Sequence, residues 1–299
     1  MKRGFCVLLL VWVQPLWAAA PVSGGLWEVR QGAHTAYLFG SIHVARADFY
    51  PLPLAVQQVY RQADTLAVEV DPSRPGEMQK ALPLLTYAAP DRLQNHLRTS
   101  TWEQLLLRQP QAATQWQQLR PSLVASALLV AALTPLGYTA EFGIDQHFIT
   151  RAKGDHKTVL ELESMVFQAG ILGGLSDEVG DAMLAQTLDS ITDGTLKSDT
   201  ARLVQAWKAG DAATLEQLFL AEANKDAAAK LFMQTLLDDR NPAMVTQILA
   251  QMAAGRRLLV VVGAAHISGP RSLVDLLRKR GLKVRQISSS NKSGYVYVD

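Results

Sequence analysis

Apolar positions near both ends of this chain follow strand-like patterns, and the middle follows a helical one. GLWEVR at 25–30 and TAYLF at 35–39 flank Gln31-Gly32-Ala33-His34, which predicts a hairpin with glycine in its turn. Leu54 to Gln62 carries helical spacing. Thr65 to Asp71, TLAVEVD, is a compact apolar run closed by Asp-Pro, which predicts a strand ending in carboxylates. A strand, a turn, a helix and a strand in this order predict a parallel crossover.

From Glu77 to Tyr138 the pattern is helical, punctuated by Pro83, Pro90, Pro110, Pro121 and Pro135. Its most apolar piece, Ser122 to Leu133, falls short of the roughly 20 residues of a membrane span and is expected as a buried helix. Lys157 to Leu162 reads as a strand and Ser164 to Ala254 as a long helical section. Arg256 to Val262 is a continuous β-prone run of the kind buried on both faces of a sheet. A helix over 270–280 and strands at Leu282 to Ile287 and Tyr295 to Val298 close the chain. No internal repeat of 20 to 50 residues intervenes. The fold class expected is α/β: a mixed central sheet built from N- and C-terminal strands, with a large helical section inserted between them, in a single domain over 21–299.

The first twenty residues stand apart from this plan. Lys2 and Arg3, an apolar run from Phe5 to Trp17 and the small residues Ala18-Ala19-Ala20 have the order of a secretory signal peptide, with cleavage expected near Ala20. The expected location is the periplasm or the exterior. The only cysteine, Cys6, lies inside this segment, so the mature chain is expected to have no thiolate for nucleophilic or metal chemistry. Removing Lys2 and Arg3 takes the basic count from 29 to 27, equal to the 27 acids, which argues against nucleic acid as a partner. No membrane span is expected after cleavage.

Candidate chemistry lies in a repeated phrase. YLFGSIHVA at 37–45 and VVVGAAHIS at 260–268 each run from an apolar strand through Gly, two residues and His. Turns of this kind lie beyond the carboxyl ends of strands, where open α/β sheets bind ligands. Gly40 and Gly263 permit the turn, and His43 and His266 are expected to project into one crevice. No Gly-x-Ser-x-Gly elbow and no His-Glu-x-x-His helix is present.

With Leu52-Pro53, Val68 to Asp71, Phe142-Gly143-Ile144-Asp145, Leu162-Glu163 with Gln168, and Asp239-Arg240-Asn241, this pair of motifs resembles the TraB/GumN family, which includes the Tiki metalloproteases. The resemblance runs from about Leu26 to Val284. One motif departs mildly, with Asp239 where a glutamate is expected before the Arg-Asn pair. The resemblance implies a metal-dependent hydrolase of peptide bonds for the Tiki branch, and with the signal segment the protein expected is an exported metal-dependent hydrolase. His43 and His266 are its expected metal ligands, and Glu69, Glu163, Arg240 and Asn241 its catalytic positions. Two imidazoles and a carboxylate suit a divalent ion with an open position, and zinc, manganese and cobalt remain open. A second carboxylate would serve as base, which of the two being left open, and Arg240 with Asn241 would hold a substrate carboxylate or an oxyanion.

Structural readings stand beside these. Glu69 would form a salt bridge with Arg240 or another base, Glu163 would favour a helix N-terminus, and Asn241-Pro242 would cap the following helix. Asp145 reads as a helix start. His34, His96, His147 and His156 read as solvated or structural, and Trp102, Trp116 and Trp207 as packing anchors. The competing function is a non-catalytic binding protein for haem, a peptide or an exopolysaccharide intermediate in the same cleft.

Overall fold

The computed structural model describes residues 21–288 and 296–298; the proposed signal segment lies outside them. In chain order the first elements are β1 (Pro21–Gln31), β2 (His34–Ser41), α1 (Leu54–Gln62), β3 (Thr65–Val68), α2 (Glu77–Leu85), α3 (Thr99–Arg108), α4 (Pro110–Gln115) and α5 (Pro121–Leu133). Then come α6 (Ile144–Gly154), β4 (Thr158–Glu161), α7 (Met165–Gly173), α8 (Asp177–Asp193), α9 (Thr195–Ala209), α10 (Ala212–Ala223) and α11 (Ala227–Met233). The chain closes with α12 (Asn241–Ala253), β5 (Leu258–Gly263), α13 (Ala264–Ile267), α14 (Leu273–Lys279), β6 (Lys283–Ser288) and β7 (Val296–Val298). No helix among the described residues is long and apolar enough to cross a membrane.

The seven strands form one mixed sheet in the order β4-β3-β5-β2-β1-β6-β7. β2 and β3 each pair in parallel with β5, and β4 pairs in parallel with β3. β1 runs antiparallel to β2 and β6, and β7 antiparallel to β6. The expected crossover from β2 through α1 to β3 is therefore present, with β5 seated between the two strands. That seat requires a strand entering from the far end of the chain, so the N- and C-terminal parts share one sheet.

β5 shows why its run is uniformly apolar. Leu259 and Val261 face one side, among Val56, Val59 and Tyr60 of α1 and Phe148 of α6. Leu258, Val260 and Val262 face the other, among Met244, Val245 and Ile248 of α12 and Leu277 of α14. Both faces are covered, so neither set of side chains meets water. A separate apolar cluster joins α3, α4, α5 and α8 through Leu105, Ala113, Val124, Leu128 and Leu184, with Trp102 and Trp116 packed against it.

Some boundaries differ from expectation. β3 ends at Val68, which leaves Glu69 just beyond the strand. α5 is buried on one side only, since Leu129 and Val130 are exposed. α14 starts at Leu273, where Ser272 accepts a hydrogen bond from the Asp275 backbone N–H and caps it.

A candidate active site at the carboxyl edge of four parallel strands

Four adjacent parallel strands end at the same sheet edge, and each delivers one candidate side chain within three residues. β2 ends at Ser41 before His43, β5 at Gly263 before His266, β3 at Val68 before Glu69, and β4 at Glu161 before Glu163. Neighbouring strands lie about 5 Å apart, so residues distant in sequence converge by sheet order. His43, His266 and Glu69 meet around Gly263. A Cβ on that glycine would lie 3.3 Å from Glu69 Oε1, 3.5 Å from His43 Nε2 and 3.8 Å from His266 Cδ2.

The turn holding His43 is clipped from outside. Ala45 and Thr139 exchange backbone hydrogen bonds of 3.1 and 2.9 Å, and Ile144 N–H donates to the Ile42 carbonyl at 3.0 Å. Gly143 makes that approach feasible, because a Cβ there would stand 2.3 Å from the His43 carbonyl oxygen. The preceding Gly40 lies against the Gly24 carbonyl, 2.4 Å from where a Cβ would be. Buried Trp207 donates its indole N–H to the Gly40 carbonyl at 2.9 Å and packs on Phe39 and Phe49. It thus anchors the strand end that carries His43 as well as the packing expected of it.

Each imidazole is held by its Nδ1. His43 Nδ1 donates to Asp145 Oδ2 at 2.8 Å, and Asp145 also accepts from Ser41 Oγ. Asp145 is the second residue of α6, as expected of a helix start, but it also orients a candidate site histidine, a role its Gly-Ile-Asp sequence did not disclose. His266 Nδ1 meets Asn241 Oδ1 at 2.6 Å, and Asn241 Nδ2 donates to the Arg271 carbonyl at 2.9 Å. With the amide nitrogen so engaged, Asn241 Oδ1 is the acceptor and His266 Nδ1 the donor, leaving a lone pair on Nε2. That Nε2 lies 3.7 Å from Glu69 Oε1. The capping role read for Asn241 is not what the structure places there: α12 begins at Asn241, and its side chain reaches His266.

The acids lie behind the histidines in a buried ionic network. Arg240 donates from Nε to Glu163 Oε1 at 2.9 Å, from Nη2 to Glu163 Oε2 at 2.6 Å and Glu69 Oε2 at 2.7 Å, and from Nη1 to the Leu236 carbonyl at 2.7 Å. Gln168 Nε2 bridges Glu69 Oε2 at 3.1 Å and Glu163 Oε2 at 2.9 Å. Glu69 Oε1 accepts the Gly263 N–H at 2.7 Å. The ion pair anticipated between Glu69 and Arg240 is present, and four of the five guanidinium N–H groups are committed to protein acceptors. The guanidinium therefore holds two carboxylates together.

Charge in the site follows from these contacts. Asp145 raises the His43 pKa to about 9, its hydrogen bond and Glu69 adding to the effect while desolvation and Arg240 oppose it. Burial lowers His266 to about 4, so its ring is neutral at neutral pH. Burial pushes Glu69 up, but His266, His43, Arg240 and the Gly263 N–H outweigh it and hold the carboxyl at about 2. At neutral pH, with His266 uncharged, His43, Arg240 and the Gly263 N–H carry that stabilisation.

The donor types fit a divalent ion. Two imidazoles oriented through Nδ1 by fixed partners have the outer-shell support of metal-bound histidines, and an ionised carboxylate lies beside them. Among the described residues no group of three or more His, Cys, Asp or Glu is drawn together at metal-centre spacing. His96 is elsewhere, between Asp91 and Asp177 and stacked on Tyr87, a structural role.

A parallel sheet edge that gathers two Gly-x-x-His turns and a buried Glu-Arg-Glu network defines an α/β protein with a histidine-carboxylate site. The profile of the TraB/PrgY/gumN family matches residues 25–286, and the chain belongs to that family. It is 31% identical over 287 residues to the uncharacterized protein YbaP of Shigella flexneri and to that of Escherichia coli K12, covering 90% of this chain and 99% of each relative. No solved structure matches it.

Proposed function

We propose that this protein is an exported, metal-dependent hydrolase of peptide bonds, acting in the periplasm or outside the cell. The reading rests on one observation: two imidazoles from separate strands are each oriented through Nδ1 by a fixed partner and flank an open glycine beside an ionised carboxylate. His43 and His266 would hold the ion through Nε2, His43 giving up on binding the proton that Asp145 favours, with Glu69 next to them. A bound ion polarises a carbonyl and lowers the pKa of water.

The remaining chemistry belongs to the chain. Glu69 accepts the proton released as water oxygen bonds to the substrate carbonyl carbon, and returns it to the leaving amine as the C–N bond breaks. Arg240 and Glu163 keep Glu69 fixed, and Asp145 and Asn241 keep the two rings turned toward Gly263. Export rests on the basic, apolar and small-residue order of residues 1–20.

The test is calorimetry and elemental analysis of the mature protein with zinc, manganese and cobalt, beside a peptide-library digest. Stoichiometric binding and cleavage, both lost in His43→Ala and His266→Ala, are expected. No binding of any of the three ions, or cleavage that survives both substitutions, overturns the proposal. In the first case a haem titration that gives a histidine-dependent Soret band would favour the non-catalytic alternative.

A further inference from the structure

The cleft in front of His43 and Glu69 has about 290 Å³ of space and is lined by both polar and apolar side chains. The charged groups of the site are already matched: Asp145 by His43 and Ser41, and Glu69 by Gly263, Arg240 and Gln168. The rest of the lining is Val70, Pro72, Ala140, Ile149 and Met165 with the neutral amide of Gln146, and no lysine or arginine lines the space. Ile149, buried on α6, forms a floor, while Met165, half-buried at the first position of α7, has the unbranched thioether that adapts to differing apolar shapes. An ionised side chain entering here would lose water and meet only charges already paired within the protein, whereas an aliphatic one would leave water for apolar side chains. The volume lies at the small end of ligand sites, suited to a side chain of an extended peptide.

We propose that Val70, Pro72, Ile149 and Met165 form a side-chain subsite selecting an aliphatic residue next to the bond that is cut. This rests on the hydrolase reading above and deepens it by naming the substrate class. The occupant is fixed by continuity: the apolar side chains and the candidate centre bound the same cleft, so a peptide bond at His43 and Glu69 puts a neighbouring side chain against Met165.

Two measurements separate this inference from its premise. The first is calorimetry of the mature chain, with and without zinc, using acetyl-Ala-Leu-Ala-amide, acetyl-Ala-Lys-Ala-amide and acetyl-Ala-Glu-Ala-amide as probes. The leucine peptide is expected to bind at least about tenfold tighter than the other two, the discrimination typical of a hydrophobic pocket. Met165→Leu should keep that ratio, and Met165→Glu should abolish it or turn it toward lysine. Equal affinities, or no binding of the leucine peptide at millimolar concentration, overturn the subsite. The second is a metal-loaded digest of a mixed peptide library. Cleavage that needs both histidines but shows no aliphatic preference overturns the subsite and leaves the hydrolase; leucine-selective binding without cleavage overturns the hydrolase and leaves an apolar peptide site.

Discussion

Replacing Arg240 by Met tests whether the buried network is held by one cation. The side chains of Arg240, Glu69 and Glu163 are 5%, 10% and 5% exposed, so water does not replace a lost partner. The substitution keeps an apolar stem and deletes three charge-assisted bonds to the carboxylates together with the bond to the Leu236 carbonyl. Breaking a buried ion pair by removing one partner costs about 3 to 5 kcal/mol. Two carboxylates then face one another, with the Gln168 amide and the Gly263 N–H as remaining donors. Urea unfolding should show a loss of about 4 kcal/mol, and thermal unfolding a fall on the order of 10 °C. The loss should be larger at pH 8 than at pH 5, because a proton shared between the carboxylates relieves their repulsion. Arg240→Lys should recover only part of the stability, since one ammonium cannot span both carboxylates as the planar fork does. Arg240→Met combined with Glu163→Gln should recover more. A single Arg240→Met change costing under about 1 kcal/mol, independent of pH, would refute this account of the network.

The ion-free protein should be most stable near pH 6.5. His266, held at about 4, binds its proton in the unfolded chain first, so stability falls below 6.5, by about 2 kcal/mol at pH 5, with a slope that His266→Leu removes. His43, raised to about 9, contributes stability that is complete below 6.5 and lost as pH rises through 9, which urea titrations across this range would follow. Gly263→Ala puts a methyl 3.3 Å from Glu69 Oε1 and 3.5 Å from His43 Nε2. It should weaken zinc binding by calorimetry at least about tenfold while costing about 1 to 3 kcal/mol of stability. Asn241→Ala removes the acceptor that fixes the His266 ring and should cost about 10- to 100-fold in zinc affinity, with circular dichroism unchanged.

The sheet could be read from the sequence because its signals are local. Period-two apolar runs, the Gly32 turn and the five-residue apolar centre of β5 each require a strand wherever they are placed. Glycines followed by His43 and His266 likewise announced themselves, since an apolar strand running into Gly-x-x-His is a short-range pattern. Other assignments were under-determined. Asp145 has the same local sequence whether it only starts a helix or also holds His43, and Asn241 before Pro242 has the same sequence whether it caps α12 or orients His266. Arg240 read equally well as a substrate clamp, but the fold surrounds it with Glu69, Glu163 and the Leu236 carbonyl.

The physical reason is range. Backbone propensity and side-chain period act over a few residues, so the sequence by itself determined the strands, the helical character of the middle of the chain and the glycine-histidine turns. Strand order was decided only when β5 entered between β2 and β3, bringing Gly263 beside residues some 200 positions away. Hydrogen-bond partners and shifted pKa values depend on that juxtaposition and on exclusion of water, which only the tertiary structure supplies. It is there that Asp145, Asn241 and Gln168 acquire their contacts, and there that the two histidines come to differ in charge.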